Sequence, residues 1–154
     1  MFERFASSTR TAVEHGVEEA GRRGDRRIGT EHLLLGVLHD RETAEAVGLT
    51  ADQVRAKADA LDVKALEAIG LPIGDFRPAV RPRKLGRTPF TSGAKAVLQK
   101  TVSFTAAERS RRILPRHLLM ALLERPQPDP AAALLAECDV DAAALTRRLS
   151  GPQR

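Results

Sequence analysis

The chain has a single cysteine, Cys138, among its 154 residues. An internal disulfide is therefore excluded, and a reducing compartment, the cytoplasm, is the expected location. No apolar run approaches the roughly 20 residues of a membrane-spanning helix. The opening MFERFASSTR lacks the apolar core of a secretory signal, so none is expected. Catalytic signatures are missing too. No serine sits in a G-x-S-x-G context, Cys138 has no histidine near it in sequence, and no G-x-x-x-x-G-K-S/T phosphate loop occurs. His15, His32, His39 and His117 show no close metal-ligand spacing such as H-x-x-x-H. His32 and His39 are seven apart and could share a face, but a structural role is expected for the histidines. No catalytic residue, metal or cofactor is expected, and the chain is not expected to be an enzyme.

What is present points to helix. Tryptophan and tyrosine are absent, the aromatics are five phenylalanines, and Ala, Arg and Leu are abundant. A hydrophobic content of 42% suits one compact domain or two small, tightly packed halves. The net charge of +5 raises nucleic acid as a partner. Its distribution argues against that. Between Gly70 and Phe90, Arg77, Arg81, Arg83, Lys84 and Arg87 face Asp75 alone, a net of +4, and the rest of the chain is close to neutral. The same stretch holds Pro72, Pro78, Pro82 and Pro89. It is expected to be an extended, solvated linker, dispensable for folding, rather than a nucleic-acid contact.

The dominant feature is an internal repeat. Shifted by 85 positions, residues 5–38 lie on residues 90–123 without a gap. Phe5 meets Phe90, Val13 meets Leu98 and Val17 meets Val102. Arg27-Ile28 meets Arg112-Ile113, and His32-Leu33-Leu34 meets His117-Leu118-Leu119. Chance similarity does not hold register across two helices and the loop between them. Beyond a six-residue insertion in the Pro-rich ERPQPDP loop, Leu49-Thr50-Ala51 meets Val140-Asp141-Ala142.

Each copy predicts the same elements. In the first helix Phe5, Thr9, Ala12, Val13, Gly16, Val17 and Ala20 recur at helical spacing, a stripe rich in small residues that lets neighbours come close. Thr30 is the expected N-cap of the second helix, with Glu31 in its first turn and an apolar run behind it that marks a central buried helix. Pro115 holds the Thr30 position in the second copy, where proline suits a helix start. Shorter helices are expected at 41–47, 51–60, 130–137 and 141–149, with a further short helix at 63–69. The expected fold is all-α: two pseudo-symmetric four-helix repeats at 1–69 and 90–150, packed as one domain and joined by the basic linker at 70–89.

The motifs MFERF, IGTEHLLLGVLH at 28–39 and TPFTSGAKAVL at 88–98 resemble the N-terminal repeat domain of Clp unfoldases, above all the ClpC type of actinobacteria. The resemblance runs from residue 1 to about 149, and the second copy of the central motif, ILPRHLLMA, is degenerate. It implies two four-helix repeats and a non-catalytic module that recognises proteins or peptides. With no phosphate loop in a chain this divergent, a stand-alone Clp-repeat protein is expected, in preference to an excised N-domain. The implied partners are Clp substrates, adaptors or Clp unfoldase and protease components, with an accessory or decoy role for Clp proteolysis or for cyclic peptide antibiotics. The alternative is a regulatory protein that binds nucleic acid through the linker.

The resemblance also implies residues. In ClpC-type domains the glutamate of GTEH in each repeat grips the guanidinium of phosphorylated arginine. That places a phosphoarginine-like site at Thr30 and Glu31, while Arg116 in the second copy has the wrong sign. A ligand-binding groove between the repeats is expected from Phe2, Val13, Phe90, Lys95 and Leu98. Phe2 has no partner in the repeat register, since Phe5 already matches Phe90, and that supports an exposed apolar site.

Overall fold

A computed structural model describes residues 4–71 and 79–151. Among these it contains eight helices: α1 (Ser7–Arg22), α2 (Thr30–Val37), α3 (Arg41–Val47), α4 (Ala51–Ala68), α5 (Ser92–Ala107), α6 (Pro115–Leu123), α7 (Pro130–Glu137) and α8 (Ala142–Ser150). The fold is all-α, and α1–α4 and α5–α8 are the two four-helix repeats.

Local chemistry sets the helix starts. Asp40, Thr50, Thr91, Asp129 and Asp141 each accept a backbone N–H from the first turn of the helix that follows. The two central helices start differently. The Gly29 N–H donates to His32 Nδ1 at 2.8 Å, and the Leu114 N–H donates to His117 Nδ1 at 2.9 Å. A buried histidine thus closes the entry to each central helix, as the repeat equivalence suggested. Thr30 is not the N-cap. It is the first helical residue, after Gly29, and its hydroxyl turns elsewhere. A separate helix at 63–69 is likewise corrected, because α4 runs unbroken to Ala68. Nothing between 60 and 69 breaks a helix, and Ala, Leu, Lys and Glu all favour one. The stop comes at Gly70, left-handed at φ 79°, where the Leu71 N–H turns back to the Leu66 carbonyl at 3.0 Å.

The core lies between α2 and α6. Leu33, Leu34 and Leu35 on one side and Leu118, Leu119 and Leu122 on the other are wholly buried. Each such side chain contributes roughly 1.5–3 kcal/mol of transfer free energy. In the first repeat α1 crosses α2 almost backbone to backbone. A Cβ on Gly36 would lie 2.3 Å from the Ala12 carbonyl oxygen and 2.6 Å from the Gly16 nitrogen. The equivalent crossing in the second repeat uses Thr101 and Ala121. Arg55 of α4 clamps α1 through Glu19, which is 3% exposed, with Nε 3.1 Å from Oε2. Burial alone would raise the Glu19 pKa, but the hydrogen bonds and charge of Arg55 bring it below its usual value.

The repeats interlock through their entry segments. Phe5 pairs in parallel with Ile113, and Ile28 with Phe90. The two pairs are images of each other under the 85-residue shift. The Ala6 N–H reaches the Ile113 carbonyl at 3.0 Å, and the Thr91 N–H reaches the Ile28 carbonyl at 2.9 Å. Each repeat thus pairs with the other's entry segment. The linker departs from expectation. Its second half is seated on the last turn of α1 and the loop that follows, where the Arg81 N–H donates to the Gly21 carbonyl at 2.7 Å, and Thr88 is buried. Backbone hydrogen bonds and the packing of Leu85 against the core hold it, and its Pro and charge content gave no warning of either. It is not a purely solvated connector, and a deletion of 72–86 would remove the contacts that 79–86 makes.

Candidate functional site

The start of each central helix faces the opposite repeat, and the two starts are pseudo-equivalent: Gly29-Thr30-Glu31 in the first and Leu114-Pro115-Arg116 in the second. Their surroundings differ in charge and in shape.

At the first start, Thr30 is 2% exposed. Its hydroxyl donates to Asp129 Oδ1 at 2.7 Å and accepts the Ala131 N–H at 3.2 Å, so it ties α2 to the N-cap of α7 in the other repeat. Asp129 also receives Arg125 Nε at 3.0 Å. This pair occupies the ground beside the start of α5: a Cβ on Gly93 would be 3.5 Å from Arg125 Nη2, Asp129 Oδ2 and Thr30 Cγ2 alike. Thr30 and Glu31 therefore have separate jobs. Glu31 is partly buried, with Oε1 3.3 Å from His32 Nδ1, and no lysine or arginine lies within 4 Å of it among the described residues. Burial pushes its pKa up, and the nearby Asp25 charge adds to the rise. His32 opposes that rise more than any other neighbour, without cancelling it. Nδ1 accepts from Gly29, so the ring proton sits on Nε2 and is directed to Asp25 Oδ2 at 2.7 Å.

At the second start the carboxylate comes from a different position. Glu108 accepts Arg116 Nη1 at 2.8 Å and lies 2.7 Å from His117 Nε2. The Arg116 hydrogen bonds hold the Glu108 pKa down to about 2 against the opposing effect of burial, with His117 adding to the fall. Arg116 is thus neutralised within its own repeat. The ground that Arg125 and Asp129 fill at the first start is open here: a cleft of about 690 Å³ is lined by Ser8, Asp40, Arg41, Glu42, Leu114, Pro115 and Arg116.

The groove residues do not all come together at the surface. Val13 and Leu98 are 0% and 1% exposed, in the core under α1 and α5, so they back the seam and cannot line an open groove. Buried stripe positions and groove walls share the same apolar spacing, which is why sequence did not separate them. Phe90 is half-buried at its bridge with Ile28, and Lys95 is exposed on α5. Phe2 lies outside the described residues. His32 and His39 do not converge: His39 stacks on His15, with ring centroids 4.1 Å apart. Sequence reasoning missed Arg125 and Asp129. Their signal was the D-P-A run, a helix start, inside the inserted loop.

The family model of the Clp repeat (R) N-terminal domain matches residues 89–152. The chain is 30% identical over 149 residues to an ATP-dependent Clp protease ATP-binding subunit ClpA homolog of Cyanidium caldarium, covering 92% of this chain and 15% of that protein. It is 32% identical over 123 residues to a ClpA homolog of Trieres chinensis, covering 80% of this chain and 13% of the relative. It therefore spans only about 15% of the length of such relatives. In fold it is similar to the N-terminal domain of the caseinolytic protease associated chaperone ClpD from Arabidopsis thaliana, with a TM-score of 0.73, 23% identity and coverage of 97% and 96% of the two chains. It is also similar to the Hsp104 N-terminal domain from Candida albicans, with a TM-score of 0.66, 16% identity and coverage of 99% and 95%.

Proposed function

We propose, from the premise that this chain belongs to the Clp repeat N-terminal domain family, that it is a non-catalytic recognition module for proteins or peptides destined for a Clp unfoldase. One observation carries the reading. Glu31 keeps a part-buried carboxylate that pairs with no lysine or arginine among the described residues, beside a seam built from both repeats. A guanidinium on a ligand supplies the missing charge and can take both carboxylate oxygens. The backbone N–H groups at the start of α2 can meet an attached phosphate. The second start lacks this chemistry, because Arg116 is already neutralised by Glu108 and Pro115 offers no N–H. Phosphorylated arginine is therefore recognised at Glu31 alone.

Phe90 and Lys95 offer an apolar and a cationic contact at the same seam, and there the chain serves as an accessory or decoy for Clp substrates, adaptors or cyclic peptides. Affinity capture from native lysate tests the reading, with wild-type protein against a Phe90→Ala, Glu31→Gln variant. Enrichment of Clp subunits, adaptors or unfolded clients by wild type alone supports it. Equal recovery by the variant, or recovery of none of these, refutes it.

A further inference from the structure

We propose that the α1–α2 loop and the linker strap beside it form a docking surface for an acidic polypeptide segment. The strap, residues 79–89, packs along residues 21–28. The Arg81 N–H donates to the Gly21 carbonyl at 2.7 Å, Arg83 Nε donates to the Asp25 carbonyl at 3.0 Å, and the Ile28 N–H donates to the Pro89 carbonyl at 2.9 Å. The approach admits no side chain on the loop. A Cβ on Gly21 would lie 2.4 Å from the Arg81 carbonyl oxygen, and one on Gly24 would lie 2.4 Å from that of Ala79. Two backbones are thus held side by side, and the side chains on them share one neighbourhood.

Those side chains are cationic. Arg26 and Arg27 on the loop and Arg81, Lys84 and Arg87 on the strap are all exposed. None of the five joins an ion pair among the described residues, because the acids of this region are engaged elsewhere. Asp25 serves His32 and Arg23, Asp59 and Asp62 serve Arg23, and Glu19 serves Arg55. The result is an unbalanced positive band on a fixed backbone frame. Guanidinium groups dominate it, and they take carboxylates in paired hydrogen bonds. Nucleic acid fits less well. The cations project from a loop and a strap rather than from a helix or ribbon that could enter a groove. Residues 21–28 and 79–89 also contain no aromatic side chain on which a base could stack. The surface adjoins the recognition site above through Ile28 but uses neither Glu31 nor Phe90, so the two are tested separately.

Fluorescence anisotropy with a labelled oligoglutamate peptide at low salt tests the proposal. Saturable binding is expected, falling steeply as salt rises. Arg26→Glu with Arg27→Glu, and separately Arg81→Glu with Lys84→Glu and Arg87→Glu, should each weaken it by about tenfold or more. Reversing Arg109, Arg111 and Arg112 to Glu removes as much charge from the α5–α6 loop and should weaken binding by less than about threefold. Melting curves establish that each variant is folded. Should the strap variant unfold, the loop pair carries the test, since its side chains make no hydrogen bond or ion pair among the described residues. Absence of peptide binding, or an equal loss in the α5–α6 control, overturns the proposal. So does a DNA duplex that displaces the peptide better than unlabelled oligoglutamate at equal charge, an outcome that gives the surface to nucleic acid.

Discussion

Replacing Thr30 with valine separates the two roles that the helix start combines. The side chain is 2% exposed and its hydroxyl donates to Asp129 Oδ1 at 2.7 Å. Valine keeps the volume and removes the donor. A hydrogen bond to a charged group is worth about 1.5–3 kcal/mol. Asp129 retains Arg125 Nε at 3.0 Å and the Ala131 N–H at 2.9 Å, so it is not left without partners. The loss should therefore fall in the lower part of that range, about 1.5–2 kcal/mol. For a chain of this length, ~1 kcal/mol corresponds to ~2–4 °C, which gives a fall in Tm of about 3–8 °C. Urea denaturation followed by far-ultraviolet circular dichroism reads the change, and Asp129→Asn completes a double-mutant cycle with a coupling of about 1 kcal/mol. Unfolding should remain one transition, because the Phe5–Ile113 and Ile28–Phe90 pairs still join the two repeats, and binding at Glu31 should survive. An unchanged midpoint with zero coupling would refute the structural role of Thr30.

Other consequences follow from the same geometry. Gly36→Ala gains about 1 kcal/mol of helix propensity but drives a Cβ into the α1 backbone, so a net loss of about 1–3 kcal/mol is expected, and a Tm at or above wild type contradicts the close crossing. Glu19 has its pKa below the usual 4.5, so its contribution is complete above pH 4.5 and is lost as pH falls through the lowered value. Glu19→Gln should thus be less stable than wild type at pH 7, and the gap should narrow toward pH 3, as urea midpoints across that range will show. Arg125→Ala opens at the first start the ground that is already open at the second, and should tighten phosphoarginine binding by up to about fivefold, measured by calorimetry. Weaker binding would mean that Arg125 helps to hold the ligand.

The repeat was legible because two helices and a loop keep one register over residues 5–38 and 90–123. The buried stripe of α1 and the apolar run of α2 followed from periodicity. Other features depend on tertiary contacts that spacing does not encode. The Thr30 hydroxyl has a clear local use as an N-cap, but a residue 99 positions away takes it. The linker looked solvated because nothing in its composition reveals a backbone bond to Gly21. The site was half legible. The change of sign from Glu31 to Arg116 stands in the sequence, whereas the neutralising Glu108 sits eight residues before Arg116 and aligns with no acid in the first repeat. Val13 and Leu98 showed that a repeat-matched apolar position can be core and nothing more.

Titration calorimetry with phosphoarginine tests the central claim most directly, because it counts sites as well as measuring affinity. Wild-type protein should bind at most one ligand per chain. Glu31→Gln should abolish binding, and Arg116→Ala should leave it nearly unchanged, since the two helix starts share no side-chain partner and should couple weakly. Two equivalent sites per chain, or binding that survives Glu31→Gln, would contradict the account.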